Sequence, residues 1–519
     1  MFRPLATSAL ALILGAGAAL ADLTPAQVWE NVERSLTDAG SEVEIGSRDD
    51  SGDRLVLEDV VLRAPAEAEG RFSVTFPRMV FEDAGDGQVR SVVEGDMQFV
   101  ARSTDMSGEE SGFDMVVQMP GNETISSGTV DDMRHVYTIP ELRLTGSAAD
   151  SEGEAPVTVS MTDIAGNQTI RLLEDGGNEQ TYEISAAAMD MTIAAESTAT
   201  EIDDAAEGED SATDGTAPGA TDSFEGTFRI ENMTITGEGT TPGGVAGFDV
   251  DPAEALRAGM DGTATFAVGP MTGAFKSMTS DYAGQQQEGR GSFSAESGEL
   301  TAALSAAGLT LDTKGVNSNV KIQSSGMDMM PVSYGMAEWA FGLVLPMLAD
   351  EAEQPFGLTY RIGGLTLDDA LWSIFDPEAK LPRDPANLDI DIDGQAVLVA
   401  DLMDPEAVEA EDMPFLPRSL TVNRMSLDAV GASAEVTGAL TFGDDPTQPV
   451  GSITGNFTGI DALMDTMVAM GLLPQEQLMG TRMMMAMFAR PVDGDANRLR
   501  TEMEFREDGS IFANGQQVK

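Results

Sequence analysis

The stretch FRIENMTI, residues 228–235, decides how this chain folds. Phe228 and Ile230 alternate with polar residues as a half-buried strand requires, and so do Met233 and Ile235. The two pairs are separated by three residues rather than two. Side chains alternate faces along a strand, so that step sends the second pair to the opposite face unless the backbone compensates. Either a bulge restores the face and bends the strand, or the strand crosses between packing layers. Both outcomes predict strongly curved sheet.

The same pattern recurs along the chain. It reads Leu55-Leu57/Val60-Leu62, Val74-Phe76/Met79-Phe81, Tyr137-Ile139/Leu142-Leu144, Leu304-Ala306/Leu309-Leu311, Tyr360-Ile362/Leu365-Leu367 and Leu420-Val422/Met425-Leu427. Turn signals at Asp86-Gly87, Asp175-Gly176, Asp508-Gly509 and Asn514-Gly515 join such runs as hairpins. The predicted fold is mainly β: an extended, strongly curved antiparallel meander, with an N-terminal helix and C-terminal Met-rich helices packed on it. Two β-sandwiches are the alternative.

Helices are expected at a few places. Thr24 caps a helix with Pro25 at its first position and Val28, Trp29, Val32 and Leu36 on one face, and Trp29 anchors it to the sheet. Short helices are read at Asp251–Ala258 and Leu367–Phe375, the latter opened by Asp368, ended by Asp376-Pro377, and burying Trp372 and Phe375. Two methionine-rich helices, Ile460–Leu473 and Gln475–Ala489, flank Pro474 and precede a terminal hairpin over Leu499–Val518. Met464, Met467, Met470, Met479, Met483 and Met487 fall at helical spacing and are read as core or as the lining of an apolar groove. Cu(I) ligation by their thioethers is the competing reading.

Residues 1–21 read as a signal peptide: Arg3, an apolar run over Leu5–Gly15, and Ala19-Leu20-Ala21 before Asp22, with cleavage between Ala21 and Asp22. The protein is therefore expected in the periplasm, with no membrane span after cleavage. Residues 196–224 lose almost all apolar side chains and read as an acidic disordered linker between a region 22–195 and a region 225–519. The sequence is silent on oligomeric state.

Composition excludes more chemistry than it suggests. Of 519 residues 88 are acidic and 29 basic, a net charge of −59, which repels nucleic acids and anionic membrane surfaces. There is no cysteine, so thiolate catalysis, disulfides and thiolate metal sites are out, and His135 is the one histidine available for a catalytic relay. It reads as structural. The run Asp389-Ile-Asp391-Ile-Asp393-Gly394 matches half of a calcium loop, but Ala400 stands where the twelfth-position acid belongs, so it reads as a strand with one wet face. No phosphate loop, nucleophile elbow or dinucleotide fingerprint occurs, and no cofactor is implied.

Several blocks resemble one family. They are DLTPAQVW (residues 22–29), QPFGLT (354–359), LWSIFDP (371–377), LPRDP (381–385), MVAMGLLP (467–474), FARP (488–491) and NGQQV (514–518). With them the chain resembles the uncharacterised exported alphaproteobacterial proteins grouped as domain of unknown function 2125. The resemblance implies an envelope location and a β-rich build; the family offers no catalytic residues to carry over. Two functions follow as expectations. One is a non-enzymatic carrier or scaffold binding a lipid or other hydrophobic ligand on the curved sheet. The alternative is a carboxylate-based hydrolase acting on envelope glycans.

Overall fold

The structure, a computed structural model, describes residues 23–38, 41–64, 70–104, 110–150, 153–198, 221–245, 248, 251–280, 285–325, 331–411, 413–443 and 445–519. The expected signal peptide and its Ala21–Asp22 junction lie outside these residues.

The chain opens with helix α1 (Pro25–Asp38). Thr24 and Gln27 form a capping box: the Gln27 backbone donates to Thr24 Oγ1 and the Thr24 backbone donates to Gln27 Oε1. Strands β1 (Glu42–Asp50), β2 (Arg54–Arg63) and β3 (Gly70–Gly85) then pair antiparallel in order. β3 takes two partners end to end, β4 (Gln88–Glu94) on its C-terminal half and β5 (Met97–Thr104) on its N-terminal half. β6 (Glu110–Gln118) continues from β5, β7 (Glu123–Thr129) from β4, and both meet the long β8 (Asp132–Asp150). β9 (Gly153–Leu172), β10 (Asn178–Thr198) and β11 (Thr221–Thr241) add full-length neighbours.

The division then repeats. After α2 (Pro252–Arg257), β12 (Asp261–Val268) and β13 (Met271–Ser280) share β11. β14 (Gln286–Ala295) follows β13, β15 (Ser297–Ser305) follows β12, and β16 (Gly308–Ser324) spans both. β17 (Val332–Leu345), β18 (Asp350–Leu367), α3 (Asp369–Phe375), β19 (Ala386–Leu398), α4 (Pro405–Ala410), β20 (Phe415–Ala429), β21 (Ala432–Thr441) and β22 (Val450–Thr458) extend the meander. Helices α5 (Ile460–Ala469) and α6 (Gln475–Phe488) precede β23 (Arg490–Val492), β24 (Asp495–Phe505), β25 (Ile511–Ala513) and β26 (Gln516–Gln517). All 26 strands form one antiparallel sheet.

The curvature has a definite source. Asp59, Asp163, Asn232 and Asn317 adopt left-handed backbone at φ 50–53° near the middle of long strands, a conformation Asn and Asp tolerate better than most residues. Pairing lapses at the same level on the neighbour: Ala186 pairs with Met233 and Ala188 with Glu231, leaving Ala187 facing Asn232. Register is unchanged across the lapse, because both strands kink together. From β18 to β20 true bulges shift the register instead, between Ile362 and Leu365 and between Val422 and Met425. In both cases the apolar face is restored. Ile230 and Met233, from opposite sides of one kink, share a core cluster with Ile164, Ala186 and Val268.

The kinks line up into a seam along which the sheet folds on itself. Residues beside the seam are buried, with Met233 at 5% exposure, while residues farther along the arms, such as Phe224, are about 38% exposed. The sheet is thus a trough. Of the seven pattern matches, Leu304–Leu311 is the exception: it spans the β15–β16 hairpin rather than a kink.

Three further expectations are corrected. β10 and β11 pair with each other out to Thr198 and Thr221, so the ends of the 196–224 stretch are strand, and the sheet runs on rather than splitting into two sandwiches. Residues 199–220 lie outside the described residues. On α3, Trp372 is buried but Phe375 is 38% exposed, because it stacks on Trp372 at 4.9 Å instead of entering the sheet.

The methionine helices depart from a core role in part. Met464 is buried and Met467 and Met470 are half-buried, but Met479, Met483 and Met487 are exposed and are not core. α5 packs on the sheet through β21 and β24, whereas α6 packs on α5. Arg482 ties the two helices through Asp461 at 3.2 Å and Asp465 at 2.9 Å, leaving the methionine stripe of α6 facing outward.

Candidate functional site

The inner face of the trough is an apolar surface built row by row. In an antiparallel sheet, residues directly opposite one another share a face. On one arm Met97 faces Val117, then follow Leu144, Val159, Met191, Phe228, Gly273, Phe293, Val320, Tyr334 and Leu367, each opposite the next. The row crosses eleven strands without a charge. On the other arm the succession Tyr137, Gly166, Ile184, Ile235, Phe266, Leu300, Thr313, Phe341, Tyr360 and Ile390 is equally uncharged.

Displaced by one residue, the outer face reads Thr145, Thr158, Thr192, Thr227, Ala274, Ser292 and Lys321. Acids there are tied to arginines, as Asp190 is to Arg229 at 2.5 Å.

Phenylalanines pave part of the inner face. Phe224 stacks near Phe275 at 6.0 Å and Phe228 lies 5.4 Å from Phe293. Glycine is needed beneath two of these rings: a Cβ on Gly273 would come within 2.0 Å of Phe293, and one on Gly291 within 2.1 Å of Phe275. The rings lie flat on the sheet and leave the trough open above them, with Phe224, Phe275 and Phe293 each 38–39% exposed.

The start of the trough is covered by α1. Trp29 is fully buried and meets Phe81 edge-on at 6.0 Å, within a cluster that includes Val28, Leu55, Leu57 and Val60. Beside this anchor α1 does not close on the sheet, and a cavity of about 300 Å³ is left between them. Val28, Val32 and Leu36 line it from the helix, Met79, Phe81 and Ile170 from the strands.

Its polar groups are neutral. Ser126 Oγ and His135 Nδ1 share a hydrogen bond of 2.8 Å, and Tyr137 Oη donates to Gln168 Oε1. Burial holds His135 below the ordinary histidine value, so it is neutral at pH 7, and pushes the Tyr137 phenol up to about 12. Asn31 is 3% exposed and its Oδ1 has no partner.

Of the residues weighed in the sequence as catalytic or metal-binding candidates, His135 alone belongs to this cavity, as a hydrogen-bonded wall residue. The aspartates at 389, 391 and 393 lie on β19, where Asp389 meets Arg361 at 3.3 Å and Asn423 donates to Asp391 at 3.1 Å. That is a strand with one polar face. Among the described residues no group of three or more acidic or histidine side chains is placed to hold a metal. Nor is any helix among them long and apolar enough to cross a membrane. The cavity gave no sequence signal, because its walls come from α1 and strands as distant as β3 and β9.

Comparison with known proteins adds one finding. No curated protein and no solved structure matches the chain. Residues 286–515, from β14 to the last hairpin, match the model of a family described as "Uncharacterized protein conserved in bacteria (DUF2125)". The resemblance read from the QPFGLT, LWSIFDP, LPRDP, MVAMGLLP and FARP blocks falls within that span, while DLTPAQVW lies before it. Across residues 286–515, then, this chain is similar to the DUF2125 family.

Proposed function

We propose that the protein is an exported, non-enzymatic carrier or scaffold that holds a hydrophobic chain, such as the acyl chain of a lipid, along the inner face of the trough. One observation carries the reading: uncharged, largely apolar rows run from strand to strand along each arm and stay open to solvent in a chain of net charge −59. Monomeric soluble proteins rarely leave apolar patches of that extent uncovered, and such surfaces mark binding sites. The hydrolase alternative gains no support from the cavity, whose lining contains no carboxylate.

Native mass spectrometry of protein purified from its own periplasm tests the reading. Lipid that co-purifies and leaves with a trough variant supports it. A protein that arrives bare and takes up no fatty acid, lysolipid or neutral lipid refutes it. Export is tested separately by N-terminal sequencing, with Asp22 as the expected first residue.

A further inference from the structure

We propose that the cavity beneath α1 receives the end group of the trough's ligand, and that this group is neutral and donates a hydrogen bond: a hydroxyl or an amide, not a carboxylate or an ammonium. The proposal rests on the trough reading above.

The first argument is the unpartnered atom. Buried polar groups in native proteins nearly always have a hydrogen-bond partner. Asn31 is 3% exposed and lines the cavity, and its side-chain carbonyl oxygen is buried with none. The residue sits on the turn of α1 between Val28 and Val32, two residues from the Trp29 anchor, at the wall that an entering group would meet. An acceptor fixed in an apolar pocket selects a donor.

The second argument is charge. The lining contains no Asp, Glu, Lys or Arg, and the buried His135 is neutral. An anion would enter a strongly negative molecule and find no cation; a cation would be desolvated without a carboxylate to pair with. Either would be buried unpaired, which is strongly disfavoured. The Ser126–His135 and Tyr137–Gln168 pairs offer neutral polar contacts on the opposite wall.

The third argument is continuity. Tyr137 belongs both to the cavity wall and to the inner row that runs through Gly166 to Ile184, Ile235 and Phe266. A ligand whose head lies beneath α1 therefore has its tail directed onto the apolar arm. At about 300 Å³ the cavity is at the small end of ligand pockets, which suits a compact head group.

The test uses delipidated mature protein carrying N-phenyl-1-naphthylamine as a fluorescent trough probe, displaced by 1-decanol, methyl decanoate or decanoate. Decanol should displace the probe about five- to tenfold better than methyl decanoate, the worth of one neutral hydrogen bond, and decanoate should be the weakest. Asn31→Leu should erase the difference between decanol and the ester. Ser91→Leu, which fills the cavity from the strand side, should erase it too, and it decides the matter alone should circular dichroism show Asn31→Leu unfolded. Equal displacement by decanol and ester in the wild type overturns this proposal and leaves the trough reading standing. A wild type that binds neither probe nor competitor overturns both. A preference for decanol that survives both variants puts the recognising group elsewhere.

Discussion

Inserting one alanine between Asn232 and Met233 tests whether the kink sets the face of the strand. Asn232 is the residue that FRIENMTI spends between its two apolar pairs, at φ 52°. With a second residue spent there, one kink no longer compensates the step from Ile230 to Met233, and every side chain beyond the insertion would exchange faces. Met233, now 5% exposed, would turn outward and Thr234 inward. Losing a buried methionine from a core costs about 2–5 kcal/mol, a large part of the roughly 5–15 kcal/mol that keeps a domain folded. Two substitutions separate this from backbone strain. Asn232→Gly should be close to neutral, because glycine accepts φ 52° freely. Asn232→Val should cost about 1–2 kcal/mol, the penalty of a left-handed conformation in a residue with a branched Cβ. Urea unfolding, followed by the fluorescence of Trp29, Trp339 and Trp372, gives the ranking. Peroxide oxidation mapped by mass spectrometry gives the direction of the side chain, with Met483, 72% exposed, as the internal standard. In the wild type Met233 should be protected; in the insertion variant it should oxidise at a rate near that of Met483. An insertion variant with an unchanged urea midpoint and a protected Met233 refutes the reasoning.

Other expectations are simpler to read. Phe293→Asp places a charge on the open trough floor and should weaken N-phenyl-1-naphthylamine binding at least tenfold, while Thr227→Asp on the outer face leaves it unchanged; equal effects would mean that the probe is not in the trough. Met464→Ala should destabilise by about 2–5 kcal/mol, whereas Met483→Ala, at an exposed position, should stay within about 0.5 kcal/mol of wild type in the same urea assay. His135 is held below its ordinary pKa by burial, so the unfolded chain takes up a proton that the folded chain refuses. Its contribution to stability is complete above about pH 6.5 and declines as the pH falls from there through the lower folded value. Between pH 7.5 and 5.5 the melting temperature of wild type should therefore fall more than that of His135→Gln, and parallel curves would contradict the assignment.

What could be read from the sequence was whatever depends on neighbours along the chain. The three-residue step, the turn residues Asp86-Gly87 and Asn514-Gly515, and the Asp368 cap, which accepts from the Leu371 backbone at 2.9 Å, are all local devices and all occur where expected. The short helix α4 carries the same kind of signal, Asp404 before Pro405. What could not be read depends on the partner strand or on the space an element meets. No property of residues 479–487 says that α6 packs on α5 rather than on the sheet, so its methionines read as core when they face solvent. The cavity is illegible for the same reason. Asn31 is an ordinary polar residue on a helix until Met79, Tyr137 and Gln168 arrive from elsewhere to enclose it.

The pairing of the kinks is what gives a curved sheet continuous apolar rows. A one-residue bulge on a single strand shifts its register against the neighbour, so the rows of side chains on the two sides of the bulge no longer align. In the first two-thirds of this sheet both strands kink at one level, as Ala187 and Asn232 do, and the pairing resumes in the same register. The rows on each arm therefore run from strand to strand without a step, and the two arms face each other across the seam. Where single-strand bulges take over, from β18 to β20, the aspartates of β19 and the arginines at 361 and 424 form a charged outer patch and the inner row ends among Ile390 and Met425. The length of the apolar trough is thus fixed by how many consecutive strands place an irregular residue opposite an irregular residue. That correspondence is written in the spacing of Asp59 against Pro77, Pro140 against Asp163, Ala187 against Asn232 and Asn317 against Ala337, each pair on neighbouring strands.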